Sequence, residues 1–458
     1  STDQLTEPYA EMLPAVPEPR PVPGPIETAV EVAEELAAVV ANDKDPVTFE
    51  RVLDGLVRHA HLDRGALAQA LKPVMRKEPR EVLDFTQSDV YDVARALRGD
   101  EPREYDFTAA RRKYHASSPA GELLRARLAE AIDIIDTDAQ PFLLSVPTDA
   151  TGALDAAVLA QRLAVFDELG ITPAPVDLAQ ALLRVTPAAD EKALGAAGQL
   201  GSAAGQRLAR WLREGGLPHW ESGHAGWPDA HSRKHPTEWL SHLPPEPVPG
   251  PALLPAAATL IGPHDSVFHN PMVPFWLAQL PHHRELVLAR DYFGYRVSMR
   301  GWAHALPFAA ESGGSAGFAL HLAVAYTLTY EQQGERDAAV DALLVLAARG
   351  QLDAGLLGRQ LAEMLRSKWI EANRVTASLR TAADTGAYAT VWSVLEAVLP
   401  QLLRDPVVRG VGPLLALGVD CASRCAAKGE IPEVTAAAGR SGSSQAVKNA
   451  RLLRDVLG

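Results

Sequence analysis

Two cysteines in 458 residues exclude a disulfide framework. Cys421 and Cys425 stand four residues apart, a spacing that puts both on one face of a helix. A shared helical face is poor disulfide geometry, and two thiols alone make an incomplete metal site. Aromatic residues are scarce at 6%, and 44 Lys and Arg are outnumbered by 57 Asp and Glu. A nucleic-acid binder needs a basic stripe that displaces counterions from phosphates. The nearest candidate, Arg111, Arg112 and Lys113 with Arg125 and Arg127, reads instead as a solvated helix face. Long apolar runs are missing too: the longest, around Phe318–Leu328, is interrupted by His321 and is too short to span a bilayer. No signal-peptide pattern opens the chain, and no Asn-X-Ser/Thr acceptor occurs in it. These absences point to a reduced, cytoplasmic protein that binds neither membrane nor nucleic acid.

The familiar catalytic signatures are missing as well. The chain has no P-loop, no G-X-G-X-X-G after a strand, no H-E-X-X-H and no EF-hand loop. Gly313-Gly314-Ser315-Ala316-Gly317 has the spacing of a nucleophile elbow, but that motif needs a strand before it and an independent histidine after it. No strand pattern precedes it, and His321, on the helix that leaves the loop, is the one histidine that follows. The expectation is a glycine turn ahead of a helix. Asp133, Asp136 and Asp138 form an acidic trio at a helix end without the glycine and distal glutamate of a calcium loop, so they read as surface and capping residues. No residue set for catalysis emerges.

What is present is helical periodicity behind an unusual start. Prolines recur at 8, 14, 17, 19, 21, 23 and 25, and residues 1–45 hold ten Asp and Glu against Arg20 and Lys44, so −8 of the net charge of −13 lies there. Such a run favours extended polyproline II and builds no core. From Ile26 the helical period takes over. Thr28 and Glu31 have capping-box spacing, and Asp45-Pro46 reads as an N-cap followed by proline at the first helical position. Further helices are predicted at 64–76, 88–98, 119–136, 155–169, 175–184 and 201–214.

An internal echo runs through the chain. Leu62-Asp63 is followed by Leu67, Leu71 and Val74; Leu154-Asp155 by Leu159, Leu163 and Phe166; Leu352-Asp353 by Leu357, Leu361 and Met364. Each aspartate is placed to cap a new helix, and the apolar residues after it make one buried stripe. The spacing suits stacked helix pairs of roughly 40–50 residues with insertions. Beyond Gly317, amphipathic segments are broken near Gly334, Gly350, Ser367, Gly386, Asp405-Pro406 and Gly429. Short breaks between successive helices make antiparallel neighbours.

The middle departs from this pattern. Nine of the fourteen histidines lie between His219 and His283, five of the eight tryptophans lie between Trp211 and Trp276, and Leu243–Pro255 is rich in proline. A short strand is possible at Tyr292–Met299. His219, His224, His231 and His235 are candidate zinc ligands, with His231 and His235 at a helical ligand spacing. Pro236 argues against a helix continuing there, and imidazole and indole also suit a half-buried loop, so a structural junction or a ligand site are the alternatives.

One segment resembles a known family: Pro141-Phe142-Leu143-Leu144-Ser145-Val146-Pro147-Thr148, then Thr151-Gly152-Ala153-Leu154-Asp155, and on through Asp177-Leu178-Ala179-Gln180-Ala181-Leu182-Leu183-Arg184. With the ending Gly442-Ser443-Ser444-Gln445 and Ala450-Arg451-Leu452-Leu453, it is similar to an actinobacterial family of large helical-repeat proteins known only as a domain of unknown function. The resemblance covers most of the chain beyond the proline arm, and its motifs are patterned leucines and loops rather than a catalytic signature. Members are longer, which implies that this chain is the C-terminal part of such a protein. Their genes lie beside those for a SWIM zinc-finger protein, a MoxR-type AAA ATPase and a von Willebrand factor A protein. The resemblance therefore implies an interaction subunit in that system and transfers no catalytic residue.

The expected architecture is all-α, a HEAT-like α-solenoid of stacked helix pairs with an irregular His/Trp/Pro-rich central junction. Its parts are a disordered acidic, proline-rich arm (1–25), an N-terminal helical-repeat block (26–214), the junction (215–314) and a C-terminal helical-repeat block (315–458). The expected function is a non-catalytic scaffold or adaptor without a cofactor; the alternative is a metal- or ligand-binding module centred on the junction, with zinc as the metal.

Overall fold

A computed structural model describes residues 11–16, 18–41, 45–75, 94, 119–186, 191–216, 273–288, 303 and 305–458. Among these residues the chain is all-α: eighteen helices, no strand, and two isolated bridges, Pro21–Asp149 and Leu154–Val185. The expected helix at 88–98, apart from Ala94, the strand at Tyr292–Met299 and the four candidate zinc ligands lie outside the described residues.

The first helices start where the sequence provides caps. Thr28 and Glu31 bond reciprocally, Thr28 N–H to Glu31 at 3.1 Å and Glu31 N–H to Thr28 Oγ1 at 3.2 Å, opening α1 (Ala29–Ala41). Asp45 accepts the Thr48 N–H at 2.9 Å and opens α2 (Pro46–Met75). α2 is broken at Asp63, whose backbone is extended (φ −159°, ψ 91°) and whose carboxylate accepts the Ala66 N–H at 2.9 Å. There follow α3 (Pro119–Thr137), α4 (Ala156–Leu169), α5 (Pro175–Arg184), α6 (Glu191–Gln199) and α7 (Ala203–Glu214). Three short helices come next, α8 (Val273–Gln279), α9 (Arg284–Val287) and α10 (Ala305–Glu311). The chain ends with α11 (Phe318–Thr327), α12 (Gln333–Ala348), α13 (Ala354–Arg366), α14 (Ala372–Asp384), α15 (Tyr388–Leu403), α16 (Val411–Arg424), α17 (Pro432–Ala438) and α18 (Gln445–Leu457).

The three echoing segments share one local structure. Asp155 accepts the Ala157 and Val158 N–H groups at the start of α4, and Asp353 accepts the Leu356 N–H at the start of α13, as Asp63 does within α2. Leu67 and Leu71, Leu159, Leu163 and Phe166, and Leu357, Leu361 and Met364 are all fully buried. An aspartate at the N-cap satisfies free N–H groups, and the following stripe anchors the helix to the core. The leucines before the aspartates differ: Leu154 is buried, whereas Leu62 is exposed.

Packing follows a regular order. From α8 to α18 every helix packs against the next but one, and α14 with α15, α15 with α16 and α17 with α18 pack as sequence neighbours. In the first part α3 packs on α5, α4 on α6 and α5 on α7. The breaks between the C-terminal helices fall near Gly350, Ser367, Gly386, Asp405-Pro406 and Gly429, and the first one precedes Gly334, which lies inside α12. A further break, between α17 and α18, carries no comparable signal in the expected set. A continuous apolar core reaches from Ile26 to Leu457.

Within 215–314, the described residues 273–288 form a wedge. α8 packs on α2, α3 and α5 on one side and on α10 on the other. Backbone meets backbone at both ends of the wedge. At Gly152 (φ +90°) a Cβ would lie 2.3 Å from the Ala278 carbonyl oxygen, and at Gly314 (φ +88°) 2.3 Å from that of His282. Only glycine combines that left-handed backbone with so close an approach.

In place of a free arm, described residues of the 1–25 segment lie along the body. Arg20 O accepts the Ala150 N–H at 2.8 Å, and Val22 N–H bonds Thr148 O at 2.9 Å. Met12 N–H bonds Gly386 O at 3.1 Å, and Glu11 accepts the Thr390 N–H at 2.6 Å. Prolines donate no N–H, so the segment attaches through the residues between them.

Candidate functional site

The strongest concentration of buried charge surrounds the loop that follows α3. Residues 140–147 are irregular and largely buried, so their backbone groups need partners that no helix supplies. Charged side chains provide them. Asp54 on α2 accepts the Leu143 N–H at 2.8 Å, and Asp177 on α5 accepts those of Leu144 and Ser145 at 2.7 and 3.0 Å. The carbonyls are met by guanidiniums: Arg162 donates to Leu144 O and Val146 O at 2.7 and 2.6 Å, and Arg184 to Ser145 O at 2.5 Å. Carboxylates hold the N–H groups and arginines hold the carbonyls.

Glu50 on α2 closes the cluster from below. It pairs with Arg127 through two bonds of 2.7 and 2.5 Å and with Arg184 at 2.6 Å, and all three side chains are buried. Burial alone would raise the Glu50 pKa, but the two guanidiniums outweigh it and hold the carboxyl at about 2. Asp54, equally buried, is pushed above its ordinary value by desolvation, which Arg58 offsets only in part. Glu130 on α3 accepts the Val176 and Asp177 N–H groups and so caps α5, whose own N-cap position is Ala174.

A second loop, after α10, is held the same way by two adjacent residues of α9. Fully buried Arg284 donates to the carbonyls of Ala309, Ala310, Ser312, Gly314 and Ser315, at 2.9–3.1 Å, and to the Gln351 side chain. Glu285 accepts the N–H groups of Gly317, Ala319 and Leu320, capping α11 from outside, where the N-cap is Gly317. Desolvation, with Arg349 nearby, lowers the Arg284 pKa to about 10.

This second loop contains the elbow-like Gly313–Gly317. His321 is fully buried, its Nδ1 lies 2.8 Å from Gly317 O, and its Nε2 accepts the Asp353 N–H at 2.8 Å. Nδ1 therefore carries the proton, and Nε2 is already an acceptor. Neither nitrogen is left to activate Ser315, and burial holds the ring below its ordinary pKa, favouring the neutral form. The loop is a fastened turn, not a nucleophile elbow.

The other sequence candidates within the described residues are structural. Cys421 is fully buried with its thiol pushed up to about 12, first by desolvation and then by Asp420, so it is an inert core residue. Cys425, half-buried, is shifted the same way by burial. Asp136 and Asp138 pair with Arg64 and His61 at 2.9 and 2.6 Å, joining the end of α3 to α2 on either side of its break at Asp63. Among the described residues no group of three or more His, Cys, Asp or Glu is placed to hold a metal ion. No described helix is long and apolar enough to cross a membrane.

Sequence reasoning passed over the charges of Glu50, Asp177 and Arg184, and it misplaced Arg127, expected on a solvated helix face but buried against Glu50. A signal was available: Asp177, Gln180 and Arg184 fall on one helical face, and all three are buried, as is every residue of α5 from Asp177 onward. Charged residues on an apolar stripe announce a buried ionic cluster.

The arrangement defines an all-α protein in which buried charge fastens loops. Residues 36–240 match a domain of unknown function, DUF7824. The matched interval holds the first fastened loop, its clamping residues from α2 to α5, and all four candidate zinc ligands. No curated protein and no solved structure matches the chain.

Proposed function

We propose that the protein is a non-catalytic scaffold or adaptor: a HEAT-like solenoid of stacked helix pairs that presents a long surface to other proteins. One observation carries this reading. The buried ionisable groups of both clusters, Glu50, Asp54, Asp177 and Arg184 in the first and Arg284, Glu285 and His321 in the second, are committed to backbone groups or to each other. That is the chemistry of a rigid frame. The unbroken packing of each helix from α8 onward on the next but one supports the solenoid, because stacked pairs contact only near neighbours.

The partners expected from the resemblance to the actinobacterial family are a MoxR-type AAA ATPase, a von Willebrand factor A protein or a SWIM zinc-finger protein, in the cytoplasm. A pull-down from native lysate, read by mass spectrometry against a bait-free control, tests this. Enrichment of one of those three classes is the expected result; no protein enriched above the control overturns the scaffold reading.

A second reading, a zinc or ligand module at His219, His224, His231 and His235, is favoured by the crowding of nine histidines between His219 and His283. It requires close to one zinc per purified chain, lost on replacing His231 and His235 together. Less than about a tenth of an equivalent ends it.

A further inference from the structure

A cavity of about 160 Å³ lies between the proline segment, α2 and the fastened loop. Val22, Pro23, Gly24 and Pro25 form one wall, and Leu143, Val146, Pro147 and Thr148 form another. Among the described residues its charged lining is Arg51, Arg58 and Arg162 against a single carboxylate, Asp54. Such an excess of positive charge in a partly enclosed space needs an explanation, because desolvating an unpaired cation is costly.

The three guanidiniums are not equally satisfied. Arg58 pairs with Asp54 at 3.2 Å and lies 4.9 Å over the Phe142 ring. Arg51 directs Nη1 at Glu35, 2.8 Å away, and Nη2 at Gly24 O, but its Nε is buried with no hydrogen-bond partner among the described residues. Arg162 meets two carbonyls through Nη1 and, among the described residues, has no carboxylate at ion-pair distance. Burial accordingly depresses its pKa, with Asp54 and Asp177 acting against that shift from farther off. Two residues that line this small space thus carry a buried Nε without a partner (Arg51) and a guanidinium without a carboxylate at ion-pair distance (Arg162), among the described residues.

We propose that this cavity is a binding site for a small oxyanion, bearing a carboxylate or a phosphate group, seated between Arg51 and Arg162. A guanidinium presents paired donors that match either group. The volume suits an anion of a few heavy atoms with some water, well below the roughly 300–1,000 Å³ of sites for drug-sized ligands. Val22–Pro25 forms the wall, held by the Val22–Thr148 bond, so an occupant would lie against the proline segment. The site is independent of the scaffold reading, since none of its residues is needed to present the helical surface.

Isothermal titration of the full 458-residue chain decides the matter, with inorganic phosphate and citrate as separate probes. Saturable binding of one or both is expected, weakened by about tenfold or more in Arg162→Gln and in Arg51→Gln. Phosphate binding without citrate binding identifies a phosphate ligand, and the reverse a carboxylate. Absence of saturable binding by either anion up to about 20 mM overturns the proposal, as does equal affinity in the wild type and both variants. Arg162 also fastens the loop. If its variant does not fold, Arg51→Gln, which leaves the loop bonds intact, settles the question alone, and unchanged affinity there overturns the site.

Discussion

Single ionic residues set the rigidity of the first fastened loop. Glu50→Gln takes from buried Arg127 and Arg184 the carboxylate that both bond, and breaking such a cluster costs about 3–5 kcal/mol. Arg64→Gln, which removes the half-exposed pair with Asp136, should cost less than about 1 kcal/mol because solvent screens it. Thermal denaturation of the two variants checks the contrast. Acid should weaken the fold in two stages. His282 and His321 are both held below their ordinary value of 6.5, mainly by burial, so the folded state takes up fewer protons than the unfolded one. Their contribution is intact above 6.5 and is lost as pH falls below it. Glu50, lowered from 4.5 to about 2, contributes fully above 4.5 and loses that contribution between those two values. Scanning calorimetry across acid and neutral pH should therefore find a Tm that is level above neutrality and steps down twice, with His321→Leu shrinking the upper step.

Carboxylates start helices in this chain in two ways. α4, α13 and the second half of α2 cap themselves with Asp155, Asp353 and Asp63, whereas α5, α11 and α15 carry Ala174, Gly317 and Ala387 at the N-cap and take carboxylates from Glu130, Glu285 and Glu11. The first kind is local, so Asp155→Ala and Asp353→Ala should each cost about 0.5–2 kcal/mol in urea denaturation. Gly152→Ala acts on packing between elements. It demands a left-handed alanine with its Cβ against the Ala278 backbone, and is expected to cost about 1–3 kcal/mol or more, read in the same experiment.

Across the molecule, the proline segment links distant parts. Arg20 and Val22 bond the turn at Thr148–Ala150, while Glu11 and Met12 bond the start of α15 and the turn before it. Ten residues of extended chain reach about 33–36 Å at most, so the two attachment points lie within that span. Deleting residues 1–25 should raise hydrogen exchange at both Ala150 and Thr390, measured by mass spectrometry, and leave amides deep in α13 protected.

Much of this was legible from the chain because it is local. Caps, stripes and breaks depend on residues within a turn of one another, so Asp63, Asp155 and Asp353, the Thr28–Glu31 box and most C-terminal breaks could be read directly. The family-like segment Pro141–Thr148 could be noticed but not explained, since its partners stand on α2, α4 and α5. The elbow spacing of Gly313–Gly317 was correctly set aside, but its reason, Arg284 and Glu285 gripping the loop, was out of reach.

Helical periodicity and capping residues settled the all-α character of the described residues and where many helices begin, because short-range geometry governs both. Folding alone brought Glu50 to Arg127 and Arg184 across 77 and 134 residues, wedged α8 between the two helical groups, and gathered Arg51, Arg58 and Arg162 at one cavity. Ionic partners at such separations leave no periodic trace, and their pairing exists only once the core has closed around them.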